Sequence, residues 1–303
     1  MSVKINLGIH LGFAINRYPE PLEWANLISG ELGVKHVKFV SDLLQPDYPD
    51  SIIEKEINII NEACDIYGIK LHHTFTSPRW NFFGNPNEEM RAYWLWWFKK
   101  FALISKKLGA KSTGSLLGIY SVSDYEKRKG YILKEIINNW HHLAEYSESI
   151  GLEYLTWEPM SIPRELGEGI GQTQQLMDML NNGKKPPAIP ILLCLDVDHG
   201  DRGSSNPDDT NPYEWIRILG KHSPTMDLKQ VTKNLYGHKP FTSEHNKDGL
   251  ITPGKIIKAL EQSDANETTL FLELSFRERF PYENNVIRDL KDSIEYWRPY
   301  TTI

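Results

Sequence analysis

Three carboxylates stand where short apolar runs end: Glu158 after LEYLTW, Asp196 after PILLCL and Glu273 after TLFL, and the amide Gln230 follows MDLK in the same way. Each closes a run of about five strand-like residues, which would set the four at one height if the strands lie side by side. Carboxylates gathered in one place need a shared counter-charge, because an unpaired buried carboxylate is costly. A divalent cation supplies one, and an all-oxygen set suits Mn²⁺ or Mg²⁺ ahead of Co²⁺ or Zn²⁺. Bound to a carbonyl and its neighbouring hydroxyl, such an ion would stabilise an enediolate while Glu158 or Glu273 moves the proton. The competing reading is four unrelated polar residues, each satisfied locally.

The elements that must position these residues follow from the period of the sequence. β-rich runs at 3–10, 36–41, 69–75, 110–117, 152–158, 189–196, 225–231 and 268–274 alternate with amphipathic stretches at 21–32, 51–67, 87–108, 124–150, 171–182, 211–220, 253–263 and 284–298. Pro21 and Pro253 suit first-turn positions, and Gly68 and Gly151 follow helices as stops. Eight strand–helix units with no Ser/Gly-rich linker predict an α/β fold, one (β/α)8 TIM barrel over residues 1–303, whose active site lies at the C-terminal ends of the strands. A doubly wound sheet is the runner-up, but the first turn, IHLGFAINRY, carries neither GxGxxG nor a Walker lysine.

Composition narrows the partners. With 34 basic against 40 acidic side chains the chain lacks the positive field that a phosphate backbone requires, so nucleic acid is disfavoured. No apolar run reaches the roughly 18 residues of a membrane span. The opening MSVKINLGIH does not resemble a signal peptide, which predicts a cytoplasmic protein. The two cysteines, Cys64 and Cys194, form no zinc pattern and read as core thiols.

The phrases WEPMSIPRE, LCLDVDHG and FLELSFRER resemble the xylose-isomerase-like family of sugar isomerases and epimerases. The resemblance spans the whole chain in topology and is sharpest from Glu158 to Arg279. It implies a TIM barrel with one divalent metal, held by Glu158, Asp196 and Glu273, with His199 on a substrate hydroxyl. Strand seven departs from the pattern: where that family has His, TMDLKQVT offers Asp227 or Gln230, and Gln230 is preferred because it sits at the strand exit. The segments PFTSEHN and ELSFRER are most similar to the D-apiose isomerase type.

Further residues could line the same mouth. His10 ends the first strand; His73 follows His72 at the exit of the third; Arg164 and Arg277 lie just beyond the fifth and eighth. Core packing accounts equally for His73, and ion pairs with Glu165 or Glu278 for the arginines. Lys229, if inward, would be a charge partner for a substrate oxygen in a hydride shift. The loops after strands seven and eight are not Gly-rich, which favours an unphosphorylated sugar. In the helix AYWLWWFKKF, Tyr93, Trp94, Trp97, Phe98 and Phe101 form a stripe that suits core or a subunit interface, hence a homodimer or homotetramer.

The expected activity is a divalent-metal-dependent aldose–ketose isomerase acting on a small sugar such as a pentose or D-apiose, with Glu158 and Glu273 as acid/base. A sugar 3-epimerase would use one glutamate on each face. A barrel glycoside hydrolase using the same pair would need no metal, but it does not require Asp196-x-x-His199.

Overall fold

The computed structural model of the protein describes residues 3–183, 186–232, 237–276 and 283–303. Eight strands form one closed parallel barrel in sequence order: β1 (Lys4–His10), β2 (His36–Val40), β3 (Lys70–Thr76), β4 (Ser112–Leu116), β5 (Tyr154–Glu158), β6 (Ile191–Asp196), β7 (Thr225–Leu228) and β8 (Glu267–Leu272). Closure comes from β8 pairing back onto β1 through six residue pairs, Lys4↔Glu267 to Ile9↔Leu272. The (β/α)8 architecture expected from the period is the one observed.

Among the described residues the surrounding helices are α1 (Pro21–Asn26), α2 (Asp50–Tyr67), α3 (Glu88–Lys107), α4 (Val122–Lys127), α5 (Lys129–Ser149), α6 (Ile170–Asn181), α7 (Pro212–Leu219), α8 (Pro253–Gln262) and α9 (Glu283–Trp297). Their apolar faces cover the outward side of the strands. In α2, Ile53, Ile57, Ile60 and Ala63 recur at helical spacing and are buried, and Gly68 ends the helix in the left-handed region at φ 63°. Asn87 caps α3 by accepting from the backbone N–H groups of Glu89 and Met90. Trp94, Trp97, Phe98 and Phe101 of α3 are buried, whereas Tyr93 and Trp96 remain exposed. Phe82 and Phe83, from the segment after β3, pack under this helix, with ring centroids 4.9 Å from Trp94 and 5.0 Å from Phe98.

Several boundaries differ from expectation, among them the helix expected over 21–32, which is α-helical to Asn26 and continues as a π-helical turn, Leu27–Glu31. The helix predicted over 124–150 is two helices that meet at Arg128, whose φ of −137° breaks the first. Asp124 explains the break: buried, it accepts from the Ser121 hydroxyl and pairs with the Arg128 guanidinium at 2.6 Å. Strand β7 ends at Leu228, three residues before the predicted limit.

The barrel interior is polar where side chains point inward. His73 bonds Ser112 Oγ at 2.6 Å and Thr156 Oγ1 at 3.1 Å, spanning three strands. Gly114 on β4 leaves room for this layer, since a Cβ there would lie 2.1 Å from Thr156 Oγ1 and 2.7 Å from the Thr156 carbonyl oxygen. Gly114→Ala is therefore expected to cost about 1–3 kcal/mol through overpacking. A lower urea midpoint at unchanged slope would report it. Gly130→Ala, with nothing within 4 Å of the new methyl, serves as the control and should not destabilise.

Candidate active site at the barrel mouth

Five side chains from the last four strands and one loop form a continuous chain of charged and ring groups. Glu158 ends β5, and its Oε1 lies 3.4 Å from His199 Nδ1. His199 Nδ1 donates to the Pro159 carbonyl at 2.8 Å, which aims Nε2 at Asp196 Oδ2, 3.3 Å away. Asp196 ends β6; its Oδ1 accepts from the Asp198 backbone N–H and its Oδ2 from Lys229 Nζ at 2.5 Å. The same ammonium donates to Glu273 Oε2, also at 2.5 Å. Lys229 thus bridges the exits of β6 and β8 and has no exposed surface.

The charges in this chain are not equivalent. Burial, reinforced by Asp196, Asp227 and Glu273, raises Glu158 well above the usual carboxylate range. Glu273 feels the same burial, but the Lys229 ammonium outweighs it and holds it well below that range. Asp196 is likewise lowered, burial being overcome by His199 and Lys229. Burial works against the Lys229 charge, and the attraction of Asp196, Glu273 and Asp227 keeps it protonated. At one end of the chain a carboxyl tends to hold its proton; at the other a carboxylate stays ionised.

Below this ring lies a second ion pair. Lys38 Nζ, from β2, meets Asp227 Oδ2 at 2.5 Å and Cys194 Sγ at 3.2 Å, over the Phe75 ring. Both charged residues are buried, and Asp227 Oδ1 has no hydrogen-bond partner. Cys194 is a core thiol, as expected, with its ionisation suppressed by burial and by Asp227.

The strand-seven assignment needs correction. Gln230 does not join the ring: its Nε2 donates to Asn246 Oδ1 at 2.8 Å and to the Ile251 carbonyl at 3.0 Å, and its Oε1 accepts from the backbone N–H groups of Val231 and Ile251. Its hydrogen-bonding capacity is spent on holding the loop after β7. Asp227 and Lys229, two residues apart, share the inward face, so the residue that β7 delivers to the ring is a cation.

The other expected residues divide. His10 belongs to the mouth: Nδ1 accepts from the Gly12 backbone N–H at 3.0 Å, and Nε2 lies 3.9 Å from Glu273 Oε1. Burial lowers its pKa to about 3 despite Glu273, so the ring is neutral. His73 is deeper, both nitrogens engaged by hydroxyls as described above, and does not reach the ring. Arg164 donates to the Tyr120 carbonyl at 2.8 Å and braces two loops. Arg277 lies outside the described residues. Sequence reasoning missed Lys38, legible only as a lysine amid the apolar strand HVKFV. It also missed His238, whose Nδ1 is 3.4 Å from Glu273 Oε2 and whose loop has no periodic signal.

Metal fit can be tested on these positions. Among the described residues, Glu158, Asp196 and His199 bring one ligand atom each within 4.8 Å of one another, a trio that could hold an ion. The ring of four expected ligands is not present, because Gln230 is turned into its loop and Lys229 lies between Asp196 and Glu273. A divalent ion on the remaining trio would share Asp196 with a buried ammonium, and two cations on one carboxylate repel strongly where water is scarce. The residues do not fit a metal encircled by the last four strands.

No family model matches the chain. Compared with curated proteins, it is 34% identical over 302 residues to D-erythrulose 1-phosphate 3-epimerase of Brucella abortus (strain 2308), covering 98% of this chain and 97% of that protein. Among solved structures it superposes on a putative xylose isomerase from Rhodospirillum rubrum with TM-score 0.87 at 22% identity, over 98% of this chain and 99% of that one. D-psicose 3-epimerase from Clostridium cellulolyticum, solved with D-tagatose, gives TM-score 0.68 at 15% identity, over 98% and 100% of the two chains. These two solved structures share the fold.

The buried pair under the ring generates a stability prediction. Lys38→Met leaves Asp227 without its cation and should cost about 3–5 kcal/mol, whereas Lys38→Met combined with Asp227→Leu should recover most of the loss. Chemical denaturation of the two variants checks this, and an equal loss in the double variant would contradict it.

Proposed function

The chain belongs to the xylose-isomerase-like barrel family of sugar epimerases and isomerases, and on that premise we propose that it is a 3-epimerase of a short-chain ketose 1-phosphate. One observation carries the reading: Glu158 and Glu273 stand at the two ends of one chain of side chains in unlike surroundings, Glu273 against the Lys229 ammonium and Glu158 against the His199 ring, where burial beside other carboxylates pushes its pKa up. An aldose–ketose isomerase can run on a single carboxylate that returns the proton on the same face. Inverting a carbon requires an acid on one face and a base on the other.

The steps balance as follows. Ionised Glu273 takes the proton from C3; the C–H electron pair becomes the C2–C3 double bond, and the carbonyl pair moves onto the C2 oxygen. Protonated Glu158 then delivers its proton to the opposite face of C3, the carbonyl re-forms, and C3 is inverted. Glu273 is left protonated and Glu158 ionised, and exchange with water restores both. His199 orients the acid end, and His10 and His238 flank the base.

The substrate class leans on the relative. Its name, a ketose phosphate epimerase at 34% identity, favours a phosphorylated ketose over the pentose or D-apiose expected from the sequence. The expectation of Mn²⁺ or Mg²⁺ rested on four strand-exit oxygens, of which Gln230 is turned away and Glu273 is bound to Lys229. No step here is routed through a metal. A glycoside hydrolase would use the same two carboxylates but gives no role to Lys229 or His199, and the family argues against it.

The expected homodimer or homotetramer remains part of this reading, with the exposed Trp80, Met90, Tyr93 and Trp96 as the meeting face. Trp96→Glu should lower the sedimenting mass; an unchanged mass would remove that face from the assembly.

The reaction itself is tested with D-erythrulose 1-phosphate in D₂O. Early in the reaction the epimer should carry one deuteron at C3 while the remaining substrate stays protiated, which NMR distinguishes. Glu158→Gln should lower epimerisation by about 10²–10⁴-fold yet still exchange the C3 proton of the starting epimer. Glu273→Gln should lose both from that epimer. An aldose product would sink the epimerase reading.

A further inference from the structure

The ring of carboxylates at the barrel mouth already contains a cation. Lys229 Nζ sits 2.5 Å from Asp196 Oδ2 and 2.5 Å from Glu273 Oε2, a contact pair with two different strands and no exposed surface. Among the described residues the other buried lysine, Lys38, is committed to Asp227 and Cys194. A divalent ion bound between β6 and β8 would compete for the carboxylates of Asp196 and Glu273 with a charge that is covalently tethered to the end of β7. We propose that Lys229 is the resident cation of this site, standing in the place of a divalent metal, and that the enzyme transfers protons with no metal bound.

The assignment draws its catalytic role from the epimerase reading and its geometry from the ion pairs alone. Two N–H groups of the ammonium go to Asp196 and Glu273. The third meets His238 Nε2 only at 3.5 Å, a long contact, and the His238 side chain that covers it is 34% exposed. A substrate oxygen that displaces His238 there receives a charge-assisted hydrogen bond. When Glu273 removes the C3 proton, negative charge develops on the C2 oxygen, and a pre-positioned ammonium in a site screened from water stabilises it without reorganisation. Lys229 then does two things: it keeps Glu273 ionised before the step and balances the enediolate during it. Both protons of the reaction stay with the glutamates, and Lys229 remains protonated throughout.

The experiment combines metal binding with turnover. Mn²⁺ is titrated into the wild-type protein, Lys229→His and Asp196→Asn, and bound ion is followed by electron paramagnetic resonance. The wild type should leave Mn²⁺ free, whereas Lys229→His, which replaces the tethered cation with a neutral donor, should take up one ion per chain. One Mn²⁺ per wild-type chain, lost in Asp196→Asn, would overturn the proposal. In parallel, wild-type protein dialysed against a chelator should epimerise D-erythrulose 1-phosphate at an unchanged rate; a rate lost on chelation and restored by Mn²⁺ would also overturn it. Lys229→Met should lose roughly 10²–10³-fold in kcat, with Lys229→Arg recovering part of the loss and circular dichroism reporting whether each variant folds. If Lys229→Met does not fold, the wild-type titration and chelation still decide the question. A protein that epimerises no ketose phosphate, with or without Mn²⁺, would remove the epimerase reading, and the Mn²⁺ titration would still decide the resident-cation assignment.

Discussion

An interior that gathers Glu158, Asp196, Asp227 and Glu273 must gather positive charge as well, and the bridge from Lys229 to Asp196 and Glu273 is where this barrel meets that demand most directly. Removing a carboxylate from water costs several kcal/mol unless it is paired and hydrogen-bonded. Lys229 offsets that cost for two strand exits at once, and Lys38 does so for Asp227 one layer below. Both lysines reach the barrel axis because their strands present alternate residues inward. The rest of the interior is arranged around the two pairs. His73 bonds hydroxyls of β4 and β5, and Gly114 keeps that layer open.

The pairing is uneven, and the unevenness is what the chemistry uses. Glu273 has an ammonium in contact and stays ionised; Glu158 faces the His199 ring and, being buried beside other carboxylates, tends to hold its proton. Glu158 ends β5 and Glu273 follows β8, with β6 and β7 between them in the barrel, so the difference between acid and base lies in what the adjacent side chains supply. Proton transfer on two faces of one carbon needs such a difference in place before substrate arrives.

Much of this was legible in the sequence. The alternation of strand-like and helix-like periods was enough for the (β/α)8 order, because burial against helices on one side of a closed sheet imposes those periods on every unit. Glu158, Asp196 and Glu273 were legible as polar residues closing apolar runs. Gln230 was misread because a strand's end was judged from composition: β7 stops at Leu228, so Lys229 and not Gln230 takes the next inward place above Asp227. The parity of 227 and 229 was available in the sequence, but it left open whether Lys229 or Gln230 faced inward. The predicted helix over 124–150 missed its break because Asp124 buries a carboxylate whose partner, Arg128, is a local ion pair rather than a helix-stop residue.

The sequence by itself determined which residues alternate inward along each strand, since that parity is a property of a single extended chain. It determined the order of elements and the presence of three carboxylates at strand exits. Only the tertiary structure decided which inward residues meet. Lys38 and Asp227 are 189 positions apart, and Lys229 and Glu273 are 44 apart. Their contact depends on the register between strands and on closure of the barrel, which no local pattern encodes. Whether the carboxylate ring is balanced by a metal or by an ammonium is therefore a question of cross-strand geometry, and the geometry puts Lys229 at that point.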